Sequence, residues 1–595
     1  MLSLLAGCGP APAAPLEAVT LPFPCDLLTV EDSGTATGLR VQIPTGASTL
    51  LDAALAFDVW PESEIRSWIE ESDGFSVNGP IFWIADRPLD DAALAASGDG
   101  TGKGASVFLL DLGSGQRVPV SAHHDRIDDE TRGPLDVMSL VPLRPLAPGR
   151  LHAVVVLDAI YGAGVEGPLL QLLGGARELA STNAYAGRVE ATRRRARPLF
   201  DHLAASGISR DAVAEAFTFT TRSARDLLVG VRAHLRASPA RVTWTGHYSP
   251  ADFPDVPAGA PDLSAVERIV TGEIEVPDLR DVATGDLRQP LQEQRTLKVP
   301  VLLALPAAGS APTRVVMLGH GHGGSRAHAL YVAPALAAKG MATIAIDHVG
   351  HGALEGTGSF ISLWPRQFRG SLAQNVADWM RLTQALEATK SVPVGGVDHP
   401  LGGLAYLGES LGGISGASLA ALEPGLRGVV LNVTGGRLAT SLAGAYLAAL
   451  SKDRLLLRLG LLHLVQNLLD PVDPATFAGL YVREASPDRA RSVLMQNVVG
   501  DTLGYETVEA LASALGASYV CPCPVEAEMP SLERTVAPAA PPGLFYFGGG
   551  ARHGFLLSES SLPAASAAVR EQAARFLDGA LGKGASIVDP NASSR

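Results

Sequence analysis

Gly408-Glu409-Ser410-Leu411-Gly412 lies between an apolar run at 404–407 and a helix-forming stretch at 411–422. No other stretch restricts the fold so strongly. The strand has to be buried, the helix has to pack back against it, and neighbouring backbone has to pass close to the turn, which only glycine permits. A G-x-S-x-G turn of this kind lifts a serine hydroxyl clear of a sheet and aims the amide of Leu411 at the same space. The sequence on either side supplies the sheet. From Arg314 onward, strands and helices are expected in alternation: strands at 314–319, 341–347, 404–408, 428–433, 493–498 and 544–547, and helices at 326–339, 367–388 and 411–422. That order predicts a mostly parallel sheet covered on both faces.

A serine hydroxyl needs a base. Of 14 histidines, only His463 and His553 follow Ser410. His463 sits in an amphipathic leucine-rich helix, where a packed or surface role is expected. His553 follows the last strand, at the carboxyl end where ligands bind in open α/β sheets. The chain order serine, acid, histidine then asks for a carboxylate after the strand at 493–499. Asp501 stands there and is favoured, with Glu506 as its rival; the other reading of Asp501 is a helix N-cap. Gly319-His320-Gly321-His322-Gly323-Gly324 follows the first strand of this half. It is expected to pair the amide of His322 with that of Leu411 as an oxyanion hole. The alternative use of His320, His322, Asp347, His348 and His351 is a metal cluster. It would leave the serine arrangement without a purpose, so no metal and no cofactor are expected.

The first 240 residues have a different texture. Short alternating runs bounded by Gly, Pro and Asp (at 82–84, 106–111, 137–142 and 151–157) predict a β-sandwich. An amphipathic helix follows at 188–205, then a strand at 217–221 and a helix capped by Ser223 that runs to about 237. Residues 240–310 are again β-rich. The expected organisation is a leader and tether at 1–20, a β-sandwich-like domain with a helical insertion at 21–240, a main domain at 241–582 and a tail at 583–595. Between the strands ending at Val433 and starting at Val493, the apolar stretches 442–450 and 455–469 predict a helical cap within 438–490. Its leucines either face a substrate or pack the cap onto the body.

Leu5-Ala6-Gly7-Cys8 has the form of a lipobox, in which small residues admit a signal peptidase and the thiol takes a lipid. Only seven residues precede Cys8, short of a full leader, so the start is expected to lie upstream. Lipidation of Cys8 would place the protein at a bacterial cell envelope or surface, held to the membrane by its acyl chains. Cys25, Cys521 and Cys523 remain, and a bridge from Cys25 to either of the others is open. The net charge of −14 is a poor match to a phosphate backbone, so no nucleic acid is expected as a partner. No run of about 18 apolar residues predicts a membrane-spanning helix.

These features together resemble the α/β-hydrolases. More narrowly, the chain resembles bacterial extracellular, virulence-factor-type lipases with an N-terminal Ig-like β-sandwich domain. The resemblance rests on Phe23-Pro-Cys-Asp-Leu-Leu, Leu143-Arg-Pro-Leu-Ala-Pro-Gly, Phe217-Thr-Phe-Thr-Thr, Gly272-Glu-Ile-Glu-Val-Pro and Leu469-Asp-Pro-Val-Asp-Pro, spread over most of the chain. Cys25 departs from that pattern, which has a small polar residue there. The resemblance implies an α/β-hydrolase fold with a helical cap, preceded by an Ig-like sandwich. It also implies a surface or secreted lipase or esterase with Ser410, Asp501 and His553 as its triad and a small-molecule or lipid ester as its substrate. A peptidase or thioesterase on the same fold, or a binding protein with an inert hydrolase half, are the competing functions.

Overall fold

A computed structural model of the chain describes residues 20–590 apart from 45–49, 58, 86, 130–131, 162–166, 174–184, 186, 288, 310, 359–363, 442–453, 487–489, 525–528, 559–561 and 583. Cys8 and the stretch 442–450 therefore lie outside the described residues. The chain forms two compact units, Met1–Ala224 with Ala445–Asn467, and Arg225–Gly444 with Leu468–Arg595.

The first unit contains three antiparallel sheets among its described residues. Strands β1 (Thr29–Glu31) and β2 (Leu39–Val41) form a ribbon. A second sheet has the order β3-β7-β6, from β3 (Ile81–Ala85), β6 (Val120–Asp129) and β7 (Gly133–Pro142). A third has the order β5-β4-β8-β9, from β4 (Val107–Asp111), β5 (Gln116–Val118), β8 (Leu151–Leu157) and β9 (Val213–Thr220). The expected helix forms over Arg188–Ala205, and its Leu199 and Leu203 pack against Phe108, Leu110, Val155 and Ala216 of the four-stranded sheet. Two of the sequence motifs meet here. Asp26 is buried and accepts the Thr220 N–H at 2.8 Å and its hydroxyl at 3.1 Å. Its fully buried carboxyl titrates above the usual range because desolvation outweighs the nearby Arg195 charge and the Thr220 bonds.

Three expectations change. Ser223 does not cap a helix; its hydroxyl donates to Asp73 at 2.7 Å, and the helix starts later, over Asp226–Arg236. That helix belongs to the second unit, so the boundary falls near 225 rather than 241. The reason is charge: Arg232 and Arg236 both reach the buried Glu423, and Arg236 also pairs with Glu387. The third change concerns the cap, because residues 445–467 group with the first unit. Within the helix Leu455–Leu469, Gly460 sits so close to the first unit that an added Cβ would lie 3.0 Å from the Ala54 Cβ. His463 is fully buried against Phe23 at 4.7 Å between ring centroids. It donates from Nδ1 to the Pro80 carbonyl and accepts the Ser76 N–H at Nε2. Burial lowers its pKa to about 4, so it is a neutral packing residue. Around it Leu455, Leu456, Leu457, Leu459, Leu461 and Leu464 are buried as well.

The second unit holds twelve described strands in one sheet. They are β10 (Val242–Tyr248), β11 (Val266–Asp278), β12 (Arg295–Pro306), β13 (Thr313–Gly319), β14 (Met341–Ile346), β15 (Ser391–Val394), β16 (Val397–Glu409), β17 (Leu426–Asn432), β18 (Ser492–Val498), β19 (Ser518–Cys521), β20 (Arg534–Val536) and β21 (Gly543–Phe547). Their order is β10-β11-β12-β14-β13-β16-β17-β18-β21-β19-β20, with β15 paired to β16. The β-rich stretch at 240–310 is the antiparallel side of this sheet, and every neighbour pair from β14–β13 to β19–β20 is parallel. The parallel strands are buried on both faces: Met341–Ile346 is buried at all six positions.

The helix expected at 326–339 divides into a 3₁₀ turn, Arg326–Tyr331, and a short helix, Ala333–Ala337. Pro334 has no N–H to donate into the preceding turn and disfavours helical backbone just before it. Cys521 and Cys523 are joined in a disulfide, while Cys25 is a buried free thiol whose pKa desolvation pushes up to about 12. Neither bridge to Cys25 forms. Among the described residues no single helix is long and apolar enough to cross a membrane.

Candidate active site

The carboxyl ends of β13, β16, β18 and β21 carry the candidate residues, all within the second unit. Gly319 ends β13 in register with Gly408 near the end of β16. The two strands and the helix Leu411–Leu422 come together through glycines. A Cβ on Gly408 would stand 2.5 Å from the Gly412 carbonyl oxygen, and one on Gly412 would stand 2.1 Å from that of Gly319. Neither contact is tolerable, so the strand–turn–helix requires both glycines. Tyr406 braces the turn by donating its hydroxyl to the Gly412 carbonyl at 2.7 Å.

Ser410 sits at φ 52° and ψ −114°, a left-handed backbone that a non-glycine residue adopts at a cost of about 1–3 kcal/mol. Its N–H is held by the Asn432 carbonyl at 2.9 Å. The hydroxyl lies 3.0 Å from His553 Nε2. On the far side of the imidazole, Nδ1 is 3.2 Å from each Asp501 carboxylate oxygen. The carboxylate is buried and the imidazole about 29 % exposed. Burial alone would lower the His553 pKa, but the hydrogen bond and charge of Asp501, with the charge of Glu409, hold it above the usual histidine value. Glu506 is exposed in the first turn of the helix Tyr505–Leu515. Asp501 does not cap that helix, whose N-cap is Gly504; its Oδ1 accepts the Leu503 N–H at 2.8 Å in the turn before it.

The glycine-rich loop lies against the serine: a Cβ on Gly321 would come 3.6 Å from that of Ser410. Leu411 opens its helix, where the first amides lack intrahelical acceptors. His322 is exposed on the same loop, and its Nδ1 is 3.1 Å from His351 Nε2.

The other histidines brace this loop. His320 Nδ1 donates to the Gly321 carbonyl, and its Nε2 accepts the His348 N–H at 3.1 Å. His348 stacks on His320 at 4.0 Å and accepts the Trp379 indole N–H at Nε2. His351 Nδ1 donates to the Val349 carbonyl. Each of the three has its lone-pair nitrogen engaged, and Asp347 is turned to Arg326 and the Ala353 N–H. Desolvation lowers His320 to about 4 and takes His348 well below its ordinary value, so both are neutral braces. Among the described residues no group of three or more His, Cys, Asp or Glu side chains could hold a metal ion.

Glu409 is the residue that motif reading passed over. It occupies the first variable position of the G-x-S-x-G turn, is only 6 % exposed, and accepts the Leu557 N–H at 3.0 Å. A carboxylate in an otherwise apolar turn was the signal available in the sequence.

Residues 310–459 match the family model described as serine aminopeptidase, S33, about a quarter of the chain. No curated protein matches the sequence. Among solved structures, acetyl xylan esterase 1 from Thermoanaerobacterium sp. JW/SL YS485 is 13 % identical, over 55 % of this chain and 87 % of that one, with a TM-score of 0.33. A cold-adapted esterase from an Arctic intertidal metagenomic library is 18 % identical, over 55 % and 99 %, with a TM-score of 0.29. Carboxyl esterase 2 from the mycorrhizal fungus Tuber melanosporum is 16 % identical, over 48 % and 82 %, with a TM-score of 0.28. The stretch matched by the family model contains the glycine-rich loop and the Ser410 turn, and it supports a hydrolase of the α/β-hydrolase superfamily.

Proposed function

We propose that the protein is a serine carboxylic-ester hydrolase, a lipase or esterase, working through an acyl-enzyme on Ser410. The observation that carries this reading is one imidazole placed between a strained serine hydroxyl and a buried carboxylate. His553 Nε2 takes the hydroxyl proton as Ser410 Oγ bonds to the substrate carbonyl carbon. The resulting oxyanion is met by the amides of Leu411 and His322. The imidazolium, steadied by Asp501, then gives its proton to the leaving alcohol as the ester bond breaks. Water, deprotonated by the same imidazole, releases the acid and restores Ser410.

A fluorophosphonate probe should label Ser410, and the protein should hydrolyse p-nitrophenyl esters from a panel running from acetyl to palmitoyl. The second reading is a peptidase, favoured by the serine aminopeptidase model over residues 310–459. Turnover of aminoacyl p-nitroanilides with little turnover of any ester would replace the first reading by the second. In either case kcat/KM should fall on the acid side as His553 gains a proton. Because its pKa is raised, half the activity should be lost above about pH 6.5 rather than below it. A midpoint under that value would mean that Asp501 and Glu409 do not act on the imidazole as described.

Placement at a bacterial cell envelope, through a lipid on Cys8, belongs to the same proposal. It follows from Leu5-Ala6-Gly7-Cys8 together with the resemblance to surface lipases that carry an Ig-like domain. Expressed with its native leader, the protein should partition into detergent, and Cys8→Ala should release it. Equal partitioning of the two would remove the anchor from the proposal.

A further inference from the structure

We propose that Glu409 is a positioning residue of this site: seated one residue before Ser410, its buried carboxylate ties the loop that carries His553 and sets a second negative charge to act on that imidazole. The inference rests on the reading of Ser410 and His553 as nucleophile and base. Glu409 ends β16, one residue before the serine, and its two oxygens face different loops. Oε2 accepts the Leu557 N–H at 3.0 Å, four residues beyond His553. Oε1 faces the glycine-rich loop, 3.1 Å from where a Cβ on Gly321 would stand. The Leu556 N–H also favours the charged carboxylate. From the other side, Arg570 of the helix Pro563–Ala580 donates Nε to the Leu556 carbonyl at 2.8 Å and a terminal nitrogen to that of Ser558 at 3.1 Å. The segment after His553 is thus held by the Leu557 amide from Glu409 and by its carbonyls from Arg570.

The electrostatics separate Glu409 from a mere loop fastener. The charged groups facing it are His553 and Arg570, and those facing His553 are Asp501 and Glu409. Asp501 is hydrogen-bonded to the imidazole, while Glu409 acts on it through its charge. Desolvation pushes the Glu409 pKa up to about 7, against the Leu557 N–H, His553, the Leu556 N–H and Arg570, which all favour its charged form. His553 favours the charged form of Glu409 and the Glu409 charge favours a protonated His553, so each charge stabilises the other. An apolar side chain would fill the same space without the cost of burying a carboxylate. That cost is explained if the charge acts on the base.

The test is the pH dependence of the rate at which a fluorophosphonate labels Ser410. Glu409→Gln keeps the shape and an acceptor for the Leu557 N–H but removes the charge. It should move the acid midpoint down by about half a pH unit or more, a roughly threefold loss of proton affinity. Glu409→Asp keeps a charge and should stay close to wild type. A folded Glu409→Gln with an unmoved midpoint overturns the proposal, whatever happens to the maximal rate. Should Glu409→Gln fail to fold, Glu409→Met, of similar length and without charge, takes its place in the same measurement. A folded Glu409→Met with an unmoved midpoint overturns the proposal. Absence of labelling in wild type would instead remove the serine-hydrolase reading, and this inference with it.

Discussion

Ser410→Ala should lower ester turnover by about 10⁶-fold, the loss that accompanies removal of a serine nucleophile acting as a unit with its base. The fold should survive. The mutation deletes one hydroxyl and its contact with His553, a net change of about 1 kcal/mol, while the glycine contacts and the Tyr406 brace remain. Alanine keeps the left-handed backbone and its strain. Ser410→Gly should be equally inactive yet more stable than Ser410→Ala. Relief of about 1–3 kcal/mol of backbone strain outweighs the roughly 0.5–1 kcal/mol entropic cost of glycine. Thermal denaturation of the three proteins checks this order, with p-nitrophenyl ester turnover measured alongside. If Ser410→Gly is the least stable, the φ of 52° is not a source of strain. If Ser410→Ala retains turnover, the nucleophile lies elsewhere.

The legible parts of this molecule were those written in a few neighbouring residues. The Ser410 turn is specified by glycines at fixed spacing, and His553 was isolated by chain order and by the place of its loop after the last strand. Both follow from local backbone rules. Asp501 was legible in position, but its alternative reading as a helix N-cap does not hold, because Gly504 is the N-cap of Tyr505–Leu515 and Asp501 lies three residues before it. It accepts from Leu503 within the turn and from His553 across the site. What the sequence left unread depends on partners. Leucines in Leu455–Leu469 demand burial without naming the surface that provides it; in the same helix Gly460 lies against Leu51 and Ala54, and His463 against Phe23. Ser223 has the chemistry of a helix cap, but Asp73, distant in sequence, takes its hydroxyl and its N–H. Glu409 escaped notice because the variable positions of a motif are read as free, and only its burial between two loops shows otherwise.

Asp501→Asn should lower kcat by up to about 10⁴-fold with little change in KM. The argument is one of tautomers. Asp501 accepts the proton on His553 Nδ1, which leaves the Nε2 lone pair facing the Ser410 hydroxyl. An asparagine turned so that Oδ1 still accepts from Leu503 presents its NH₂ to Nδ1. The imidazole would then carry its proton on Nε2, where it blocks the transfer it should accept. The imidazolium formed during attack would also lose its neighbouring charge. Glu506→Gln removes an exposed carboxylate from the first turn of Tyr505–Leu515. That change costs the helix about 0.3–1 kcal/mol of dipole stabilisation and should leave kcat within about twofold. The two variants differ in a second readout. Asp501→Asn should also shift the acid limb of kcat/KM to lower pH, because the main group raising the His553 pKa is gone. Glu506→Gln should leave that limb in place. A larger loss in Glu506→Gln than in Asp501→Asn would transfer the acid to Glu506, and the 3.2 Å contacts of Asp501 would then belong to the turn alone.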